Sequence, residues 1–434
     1  MHKFFLPFGL AALVCQPSLA QDVASTRTAG SQAAINYKLP RLASDELAGQ
    51  LTLQQALLQA FKSNPELAAA ALEVKAVEAS ILQAGVRPNP EVSALLEDTR
   101  KATRTTTLQL NQKLELGGKR DARIKAAEKG RDSAQADYLT KRADIQGAVV
   151  NAYFSALEAQ ENLQLLQGSL QLAQRASEVA AKRVAAGKVA PIEATKARVA
   201  EAGVRVELQQ ANSSMQIARR ALAATWGDAV PDFLALDGHI NVLPALPDLA
   251  VLLERLQDSP AFVKTRVEVE RRQALVQLER SARIPDVTVS IGGKRVEESR
   301  LNQMIFGLSI PIPVFDRNQG NLQEALQRAD KARDELRGAQ LKLGGELRDA
   351  YERLKQGREQ VGALQSEILP AAQDAYDIAT KGFELGKFSF LEVLDAQRVL
   401  FQARSQALRA LAEAHRAATE IERVVGAFPS TDSL

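Results

Sequence analysis

The second half of this chain carries the same marker residues as its first half, at a nearly constant offset. Asn64-Pro65 recurs as Ser259-Pro260, 195 residues later. This offset is far longer than the roughly 20–50 residues of solenoid repeats, so the repeated unit is a half-domain. The offset grows along the chain, as small loop insertions after an internal duplication would produce. Other matches are Pro90-Glu91-Val92 with Pro285-Asp286-Val287 (offset 195), Ala152-Tyr153 with Ala350-Tyr351 (198), Gly187-Lys188 with Gly386-Lys387 (199) and Trp226-Gly227 with Val425-Gly426 (199).

The first twenty residues are typical of an export signal. Lys3 precedes an apolar stretch, and Ser18-Leu19-Ala20 forms a small-x-small cleavage site. A permanent membrane helix is the weaker alternative because the apolar part is short. Lipidation of Cys15, the only cysteine, is a further alternative. A lipoprotein cleavage site requires a small residue before the cysteine, however, and this chain has Val14 there.

The duplication and the composition divide the chain into segments. The stretch with Pro231, Pro244 and Pro247 separates the two repeats. We predict a signal peptide (1–20), an extended leader (21–48), a first repeat (49–226), a joint (227–248), a second repeat (249–426) and a C-terminal tail (427–434).

Charge and hydropathy exclude several classes of protein. The chain has 55 basic and 52 acidic residues, for a net charge of +3, and this balance argues against a nucleic-acid partner. No apolar run after the signal is long enough for a membrane-spanning helix, which excludes a helical inner-membrane protein. Aromatic residues make up only 5%, which favours long, closely packed helices.

Each repeat contains one segment with the period of a β-strand, at about 91–116 and about 286–314. In the second segment Val287, Val289 and Ile291 alternate with polar residues. Strands of roughly ten residues suffice to cross a bilayer when tilted, although half-buried soluble hairpins show the same alternation. Pro311 and Pro313 each remove a ladder donor, so the last strand should fray. The other alternating residues are Leu108, Leu110, Leu114 and Leu116 in the first segment, and Phe306, Leu308, Ile310, Ile312 and Val314 in the second.

A very long helix follows each hairpin. Residues 118–186 contain no proline and would extend roughly 100 Å as a helix. Gly187 and Gly386 end the two helices, and another helix folds back antiparallel after each. Pro370 predicts a kink in the second helix. Coiled-coil spacing is shown by Leu163, Leu166, Leu170, Ala173, Ser177, Ala180 and Val184, and in the second repeat by Val361, Leu364, Ile368, Ala371, Ala375, Ile378 and Gly382.

Four strands constrain what such a chain can form in a membrane. They cannot close a barrel with a usable interior, and an open sheet edge is not tolerated in lipid. If the hairpins are in a membrane, three chains would supply twelve strands around a lumen. The fold expected is therefore mainly α with a β-barrel portion, in which the helices form a second, longer tube.

Several motifs resemble those of the TolC-type outer-membrane factors of efflux systems. Leu53-x-x-Ala56-Leu57 with Asn64-Pro65 looks like the first helix of that family. The segments 114–120 (LELGGKR) and 313–320 (PVFDRNQG) resemble the branch that serves heavy-metal exporters of the cobalt–zinc–cadmium type. The resemblance implies a homotrimer in the outer membrane with a long periplasmic extension. It also implies a periplasmic adaptor and an inner-membrane, proton-driven resistance–nodulation–division pump as partners.

The resemblance also assigns a periplasmic constriction. Segment 383–396 matches the tunnel-end motif of the family and brings Glu392 and Asp395 to the positions of its acidic rings. Their spacing of three residues gives them one helix face, and Glu193 is the counterpart of Glu392 in the first repeat. Three copies would concentrate cations at the opening. A solvated helix face is the alternative interpretation.

The two hairpin ends are candidate docking surfaces for the adaptor. Gly187 and Gly386 would serve the tight turns in any interpretation. Arg183, Lys188 and Lys387 are expected to be exposed and to bind the adaptor. Family members close the tunnel with a tyrosine and an arginine near the second turn, where this chain has Phe383 and Phe388. Any such closure would therefore use apolar contacts or other residues.

No cofactor, resident metal or catalytic activity is predicted. His239 and His415 are far apart in sequence, and Met215 and Met304 are scattered, so no ligand spacing for a metal arises. No nucleophile–base motif or phosphate-binding loop is present. The expected function is a passive exit duct for heavy-metal divalent cations. The alternatives are multidrug efflux, type I secretion, and a structural periplasmic coiled-coil protein without a barrel.

Overall fold

A computed structural model describes residues 49–238 and 240–426. The predicted signal peptide with Cys15, the leader and the tail lie outside the described residues. In the first half the elements are β1 (Gln50–Leu51), α1 (Leu53–Ser63), α2 (Pro65–Ala84), β2 (Glu91–Glu97), β3 (Thr105–Leu114), α3 (Lys119–Ala185) and α4 (Pro191–Ala224).

The same order of helix, strand hairpin, long helix and return helix recurs in the second half, which confirms the internally duplicated fold. The elements there are β4 (Ala235–Leu236), α5 (Leu249–Arg255), a 3-10 turn (Leu256–Asp258), α6 (Pro260–Ala282), β5 (Val287–Val296), β6 (Leu301–Ser309), α7 (Gln319–Ala363), a π-helical turn (Leu364–Ile368), α8 (Leu369–Glu384) and α9 (Phe390–Val425).

The repeated Asn-Pro and Ser-Pro pairs start equivalent helices. Asn64 caps α2 by accepting from the Leu67 amide at 2.9 Å, and its side-chain amide donates to the Thr225 carbonyl at 2.7 Å. Ser259 caps α6 through the Phe262 amide, and a proline occupies the first turn of both helices. In the first half, Asn64 thus anchors the start of α2 at the end of α4.

The two hairpins form one antiparallel sheet in the order β2-β3-β5-β6. β3 and β5 pair along their full lengths, from Thr105 opposite Val296 to Leu114 opposite Val287. Gly292 is required at this contact, because a Cβ there would lie 2.6 Å from the Gln109 Cγ. The sheet therefore joins the two halves of the chain edge to edge.

Two strand predictions need correction. β2 has 7 residues, whereas about ten were expected. β6 ends at Ser309, so Ile310, Ile312 and Val314 lie beyond the sheet. The prolines at 311 and 313 cannot donate to a ladder, which explains why pairing stops just before them.

A two-residue parallel pairing that the sequence analysis missed ties the proline-rich joint to the helices. Gln50 lies opposite Ala235, and Leu51 opposite Leu236. The Tyr153 hydroxyl on α3 donates to the Leu51 carbonyl at 3.0 Å, and the Gln160 side chain makes two hydrogen bonds with the backbone of Leu236. Two-residue strands are too short to show any periodicity.

α3 runs unbroken for 67 residues, about 100 Å at the rise of an α-helix. Along its second half Ala173, Ser177 and Ala180 are buried, as the coiled-coil spacing predicted. This seam packs α3 against its neighbours down to the turn into α4.

The second long helix is broken where proline predicted a disturbance, and the break changes which residues are buried. Five residues, Leu364–Ile368, adopt a π-helical turn, and α8 follows with Pro370 in its first turn. Ile368 and Ile378 of the predicted seam are exposed, and Ala371 and Ala375 are exposed as well. Gly382 of the predicted seam is buried. The other residues that face the core are each one position later than predicted: Ala372, Tyr376, Ala379 and Phe383. A π-turn accommodates one extra residue, which shifts the seam by one.

The largest core lies where α1, α3, α4 and α9 meet around the β1–β4 pair. Trp226 and Phe233 pack together with ring centroids 6.3 Å apart, and Leu157 is almost fully buried beside them. On α3 and α9 this core lies near the middle of the helix, at Ile145–Leu157 and Ala407–Ala412, and it fixes the helices relative to one another there.

Over residues 49–238 and 240–426, no helix has an apolar stretch long enough to cross a membrane.

Candidate functional site

The turn between α3 and α4 (186–190, tip 1) and the turn between α8 and α9 (385–389, tip 2) share one backbone geometry. Gly187 and Gly386 have φ of +69° and +75°. The Lys188 amide donates to the Arg183 carbonyl at 2.9 Å, and the Lys387 amide donates to the Gly382 carbonyl at 2.8 Å. These are Schellman motifs, in which glycine adopts the left-handed conformation without steric cost. Lys188 and Lys387 occupy equivalent, exposed positions.

Arg183 joins the two helical hairpins just before their tips. Its guanidinium donates to the Phe383 carbonyl at 3.1 Å and lies 4.4 Å from the centroid of the Phe383 ring. The expectation that Arg183 is exposed was wrong, because these contacts leave it half-buried. Arg183 therefore stabilises the contact between the hairpins, through a hydrogen bond and a cation–π contact.

An aromatic pair lies beneath this contact. Phe383 and Phe390 are buried, with ring centroids 5.5 Å apart, and pack with Ala180 and Val393. The sequence analysis correctly noted that the Phe383 side chain cannot hydrogen bond, but missed that its carbonyl accepts from Arg183. No pattern in the sequence signals a backbone acceptor of this kind.

The three predicted constriction residues lie in the first two turns of α4 and α9. Glu392 completes a capping box by accepting from the Ser389 amide at 2.6 Å. Asp395 pairs with Arg398 at 2.6 Å, and both Glu392 and Asp395 are exposed. Glu193 is half-buried in the first turn of α4. A carboxylate near a helix N-terminus is stabilised by the helix dipole, so each of these residues has a local structural role as well.

The four-stranded sheet has one apolar face that is open in the single chain. Directly opposite residues in antiparallel strands share a face, and the register gives the row Val92–Leu110–Ile291–Phe306. Phe306 and Val92 are 73% and 70% exposed. This apolar face also carries Ala94, Leu108, Val289, Met304 and Leu308.

The opposite face of the sheet is mostly uncharged and polar. One row consists of Ser93, Gln109, Gly292 and Ile305, and the next begins with Glu91, Asn111 and Ser290. Asn111 donates to the Ser93 hydroxyl at 3.1 Å. The two faces of the sheet therefore differ in polarity.

The LELGGKR segment builds the junction between β3 and α3. Gly117 and Gly118 both have φ of +70°, and Lys119 binds Asp286 at 2.6 Å across the two repeats. Arg123 pairs with Glu115, and Arg120 donates to the Gly85 carbonyl.

Asn318 makes the corresponding junction in the second repeat, where its side chain donates to the Glu279 carboxylate and carbonyl. The motifs that carry the family resemblance thus hold the sheet on the helices.

Two ionisable side chains that are largely buried among the helices, His415 and Glu158, contact neighbouring side chains there. The His415 ring stacks on Phe154 with centroids 4.0 Å apart, and burial lowers its pKa. Burial raises the pKa of Glu158, although Arg416 binds it at 2.6 Å. Among the residues that the structure describes, no three His, Cys, Asp or Glu side chains converge as a metal site would require.

Two of the proteins similar in sequence to this chain are named as metal-resistance proteins. This chain is 46% identical over 426 residues to the cobalt-zinc-cadmium resistance protein CzcC of Cupriavidus metallidurans, covering 98% of this chain and 100% of that protein. It is 29% identical over 290 residues to the nickel-cobalt-cadmium resistance protein NccC of Alcaligenes xylosoxydans xylosoxydans, covering 65% of each.

The fold also matches solved structures. The outer membrane protein VceC of Vibrio cholerae superposes with a TM-score of 0.70 at 22% identity, covering 86% of this chain and 96% of that one. The family model described as outer membrane efflux protein matches residues 56–228 and 251–427. With both halves of the chain matched, this protein belongs to the outer membrane efflux protein family.

Proposed function

We propose that this protein is the outer-membrane channel of a tripartite exporter of divalent heavy-metal cations. The observation that carries the proposal is the 46% identity to a cobalt-zinc-cadmium resistance protein over 98% of this chain. The channel is a passive exit duct, and an inner-membrane resistance–nodulation–division pump supplies the energy through a periplasmic adaptor.

Three copies would close the barrel. Among the described residues β2 and β6 each pair on one side only, which leaves two open edges beside an exposed apolar face. Open edges are not tolerated in lipid. Pairing β6 of one copy with β2 of the next would give twelve strands, the apolar face outward and the polar face toward the lumen.

Growth of a deletion strain on zinc, cobalt, cadmium, nickel, copper and silver, beside a panel of drugs, tests the cargo. We expect selective metal sensitivity that this gene alone restores. Sensitivity confined to drugs would favour multidrug efflux, and a defect only in protein export would favour type I secretion. A wild-type pattern on every compound, with no outer-membrane trimer detected, would favour a structural coiled-coil protein.

Glu193, Glu392 and Asp395 are proposed to line the periplasmic constriction. Glu392 and Asp395 are exposed near the tip 2 end of α9, where three copies would present six carboxylates to passing cations. Glu392→Gln with Asp395→Asn should weaken the block of single-channel current by divalent cations. Ser389→Ala is the control, because it removes the other half of the capping box and keeps both carboxylates. Equal block in the double variant and wild type would contradict the assignment.

The two tips are proposed to dock the adaptor. Gly187 and Gly386 shape the turns, and Lys188 and Lys387 project from equivalent positions. Lys188→Glu with Lys387→Glu should lower the yield of adaptor cross-linking while the trimer remains intact. The matched control is Lys75→Glu, which reverses an exposed lysine on α2. Normal cross-linking in the double variant would exclude these lysines from the docking surface.

A further inference from the structure

The apolar face of the sheet ends in arginines at the hairpin loops, away from the helices. Arg295 occupies the row Leu96–Thr106–Arg295–Asn302, on the same face as Ile291. Arg104 lies one residue before β3, and its carbonyl accepts from the Glu297 amide at 3.0 Å, which continues the β3–β5 ladder. By the alternation of the strands Arg104 falls on this face too.

Three guanidinium groups surround one carboxylate here. Arg295 binds Glu297 at 2.8 Å and lowers the pKa of Glu297, which the nearby charges of Arg104 and Arg300 lower further. Arg300 is exposed, with φ of +52°. The Nε of Arg104 has no hydrogen-bond acceptor among the described residues. Glu298 in the same turn adds a second carboxylate, so the three guanidinium groups exceed the two carboxylates by one positive charge.

We propose that Arg104, Arg295 and Arg300 bind the headgroup phosphate of a membrane lipid at the loop end of the apolar face. The proposal rests on the membrane position of the sheet under the proposed function. Acyl chains would cover the rows that contain Phe306 and Met304. Arg295 lies about 13 Å along its strand from Ile291, and Arg104 and Arg300 lie about 20 Å from it, at the loops. Guanidinium groups match phosphate geometrically and bind it through charge-assisted hydrogen bonds. The fitting ligand is a lipid with an exposed phosphate group in the leaflet on the loop side.

Native mass spectrometry of the purified, full-length channel with added diphosphoryl lipid A tests the site. Arg104→Gln with Arg300→Gln should weaken the apparent affinity by roughly fivefold for each arginine removed. Arg104→Lys with Arg300→Lys, which keeps the charge, should lose much less. The matched control is Lys75→Gln, which removes an exposed charge on α2 and should bind like wild type. The affinity of the neutral lipid phosphatidylcholine should not change in any variant.

An unchanged affinity for diphosphoryl lipid A in the glutamine variant would overturn the proposal, as would an equal loss in the Lys75 control. Saturation of the site by inorganic phosphate alone would overturn the assignment to a lipid. If the glutamine variant fails to fold, the salt dependence of lipid binding to the wild-type protein provides the test. Binding should weaken from 50 to 500 mM NaCl, and salt-independent binding would overturn the proposal. Single-channel current should stay normal in the glutamine variant, so loss of lipid binding is distinguishable from loss of the channel.

Discussion

The long helices of the two repeats start from equivalent hairpins and reach equivalent tips, but only one of them is continuous. α3 has no break, whereas its counterpart consists of α7, a π-turn and α8. The offset between the repeats is 198 at Tyr153 and Tyr351 and 199 at Gly187 and Gly386. The second repeat therefore has one more residue between these markers. The π-turn at Leu364–Ile368 is where the helix absorbs it.

The extra residue explains the corrected seam. An offset of 199 maps the buried Ala173, Ser177 and Ala180 of α3 onto Ala372, Tyr376 and Ala379. Without the π-turn, one added residue would rotate everything beyond it by about 100°. The π-turn confines the disturbance to a few residues, so tip 2 keeps the orientation that packs against tip 1.

Single-residue deletions provide the strongest test of this comparison. Deleting Gln365 should turn the π-turn into regular α-helix and leave α8 in register. Deleting Gln167 from α3 should rotate the helix beyond it by about 100°, expose its seam and detach Arg183 from Phe383. Thermal unfolding in detergent, followed by circular dichroism, should show a near-normal Tm for the first deletion and a large decrease for the second. Equal decreases would mean that the π-turn does not carry the extra residue.

The second prediction compares the two proline contacts. Gly426 directly follows α9 and Gly227 lies three residues after α4, and both have positive φ. A Cβ at Gly426 would overlap the Pro260 Cδ, whereas one at Gly227 would lie 3.2 Å from the Pro65 Cδ. Alanine at either position strains the backbone, by about 1–2 kcal/mol. We expect Gly426→Ala to destabilise the chain by a further ~1–3 kcal/mol through overpacking.

Chemical unfolding of the two alanine variants in parallel measures the difference, and Gly168→Ala serves as a control at an exposed helical site. If Gly227→Ala proves as damaging as Gly426→Ala, the tighter contact in the second repeat is not important for stability.

The third prediction concerns a carboxyl group found in one repeat only. Glu422 occupies the position of Ala223 in the first repeat, and burial raises its pKa to about 7. In the unfolded chain Glu422 ionises near its ordinary pKa of 4.5, whereas in the folded chain it keeps its proton up to about pH 7. The free energy of unfolding therefore falls as the pH rises from 4.5 to 7. Glu422→Gln should therefore stabilise the protein by about 1–2 kcal/mol at pH 8, allowing for the partial exposure of the group, and by little at pH 4.

Unfolding midpoints at pH 4, 6 and 8 for wild type and Glu422→Gln check this sign. A gain that is the same at all three values would show that Glu422 does not titrate in this range.

The smallest effect is expected at the contact between the tips. Arg183→Met keeps the side-chain volume and removes the hydrogen bond to Phe383 and the cation–π contact, together about 1–2 kcal/mol. Spin labels at Lys188→Cys and Lys387→Cys should report a broader distribution of distances between the tips. Lys182→Met, an exposed neighbour, is the control. An unchanged distribution would assign the contact between the hairpins to the packing of Phe383 and Phe390 with Ala180 alone.

Much of the fold could be predicted because its signals are local. The change from strand to helix period, the prolines at helix starts and the glycines at both tips act through neighbouring residues, and the structure confirms them. The site was harder to predict. Lys188 and Lys387 lie at the tips as expected, but the exposure of Arg183 was wrong, because its partner Phe383 is 200 residues away.

The duplication, the order of elements, the turn geometry at Gly187 and Gly386, and the presence of one extra residue between the second pair of markers can all be read from the amino-acid sequence. The tertiary structure alone decided where that residue is absorbed, which residues of α8 face the core, and that β1 pairs with β4. Local steric rules act within a few residues and can be read along the chain. The choice among packings that satisfy those rules depends on contacts between distant segments, and only the folded chain brings those segments together.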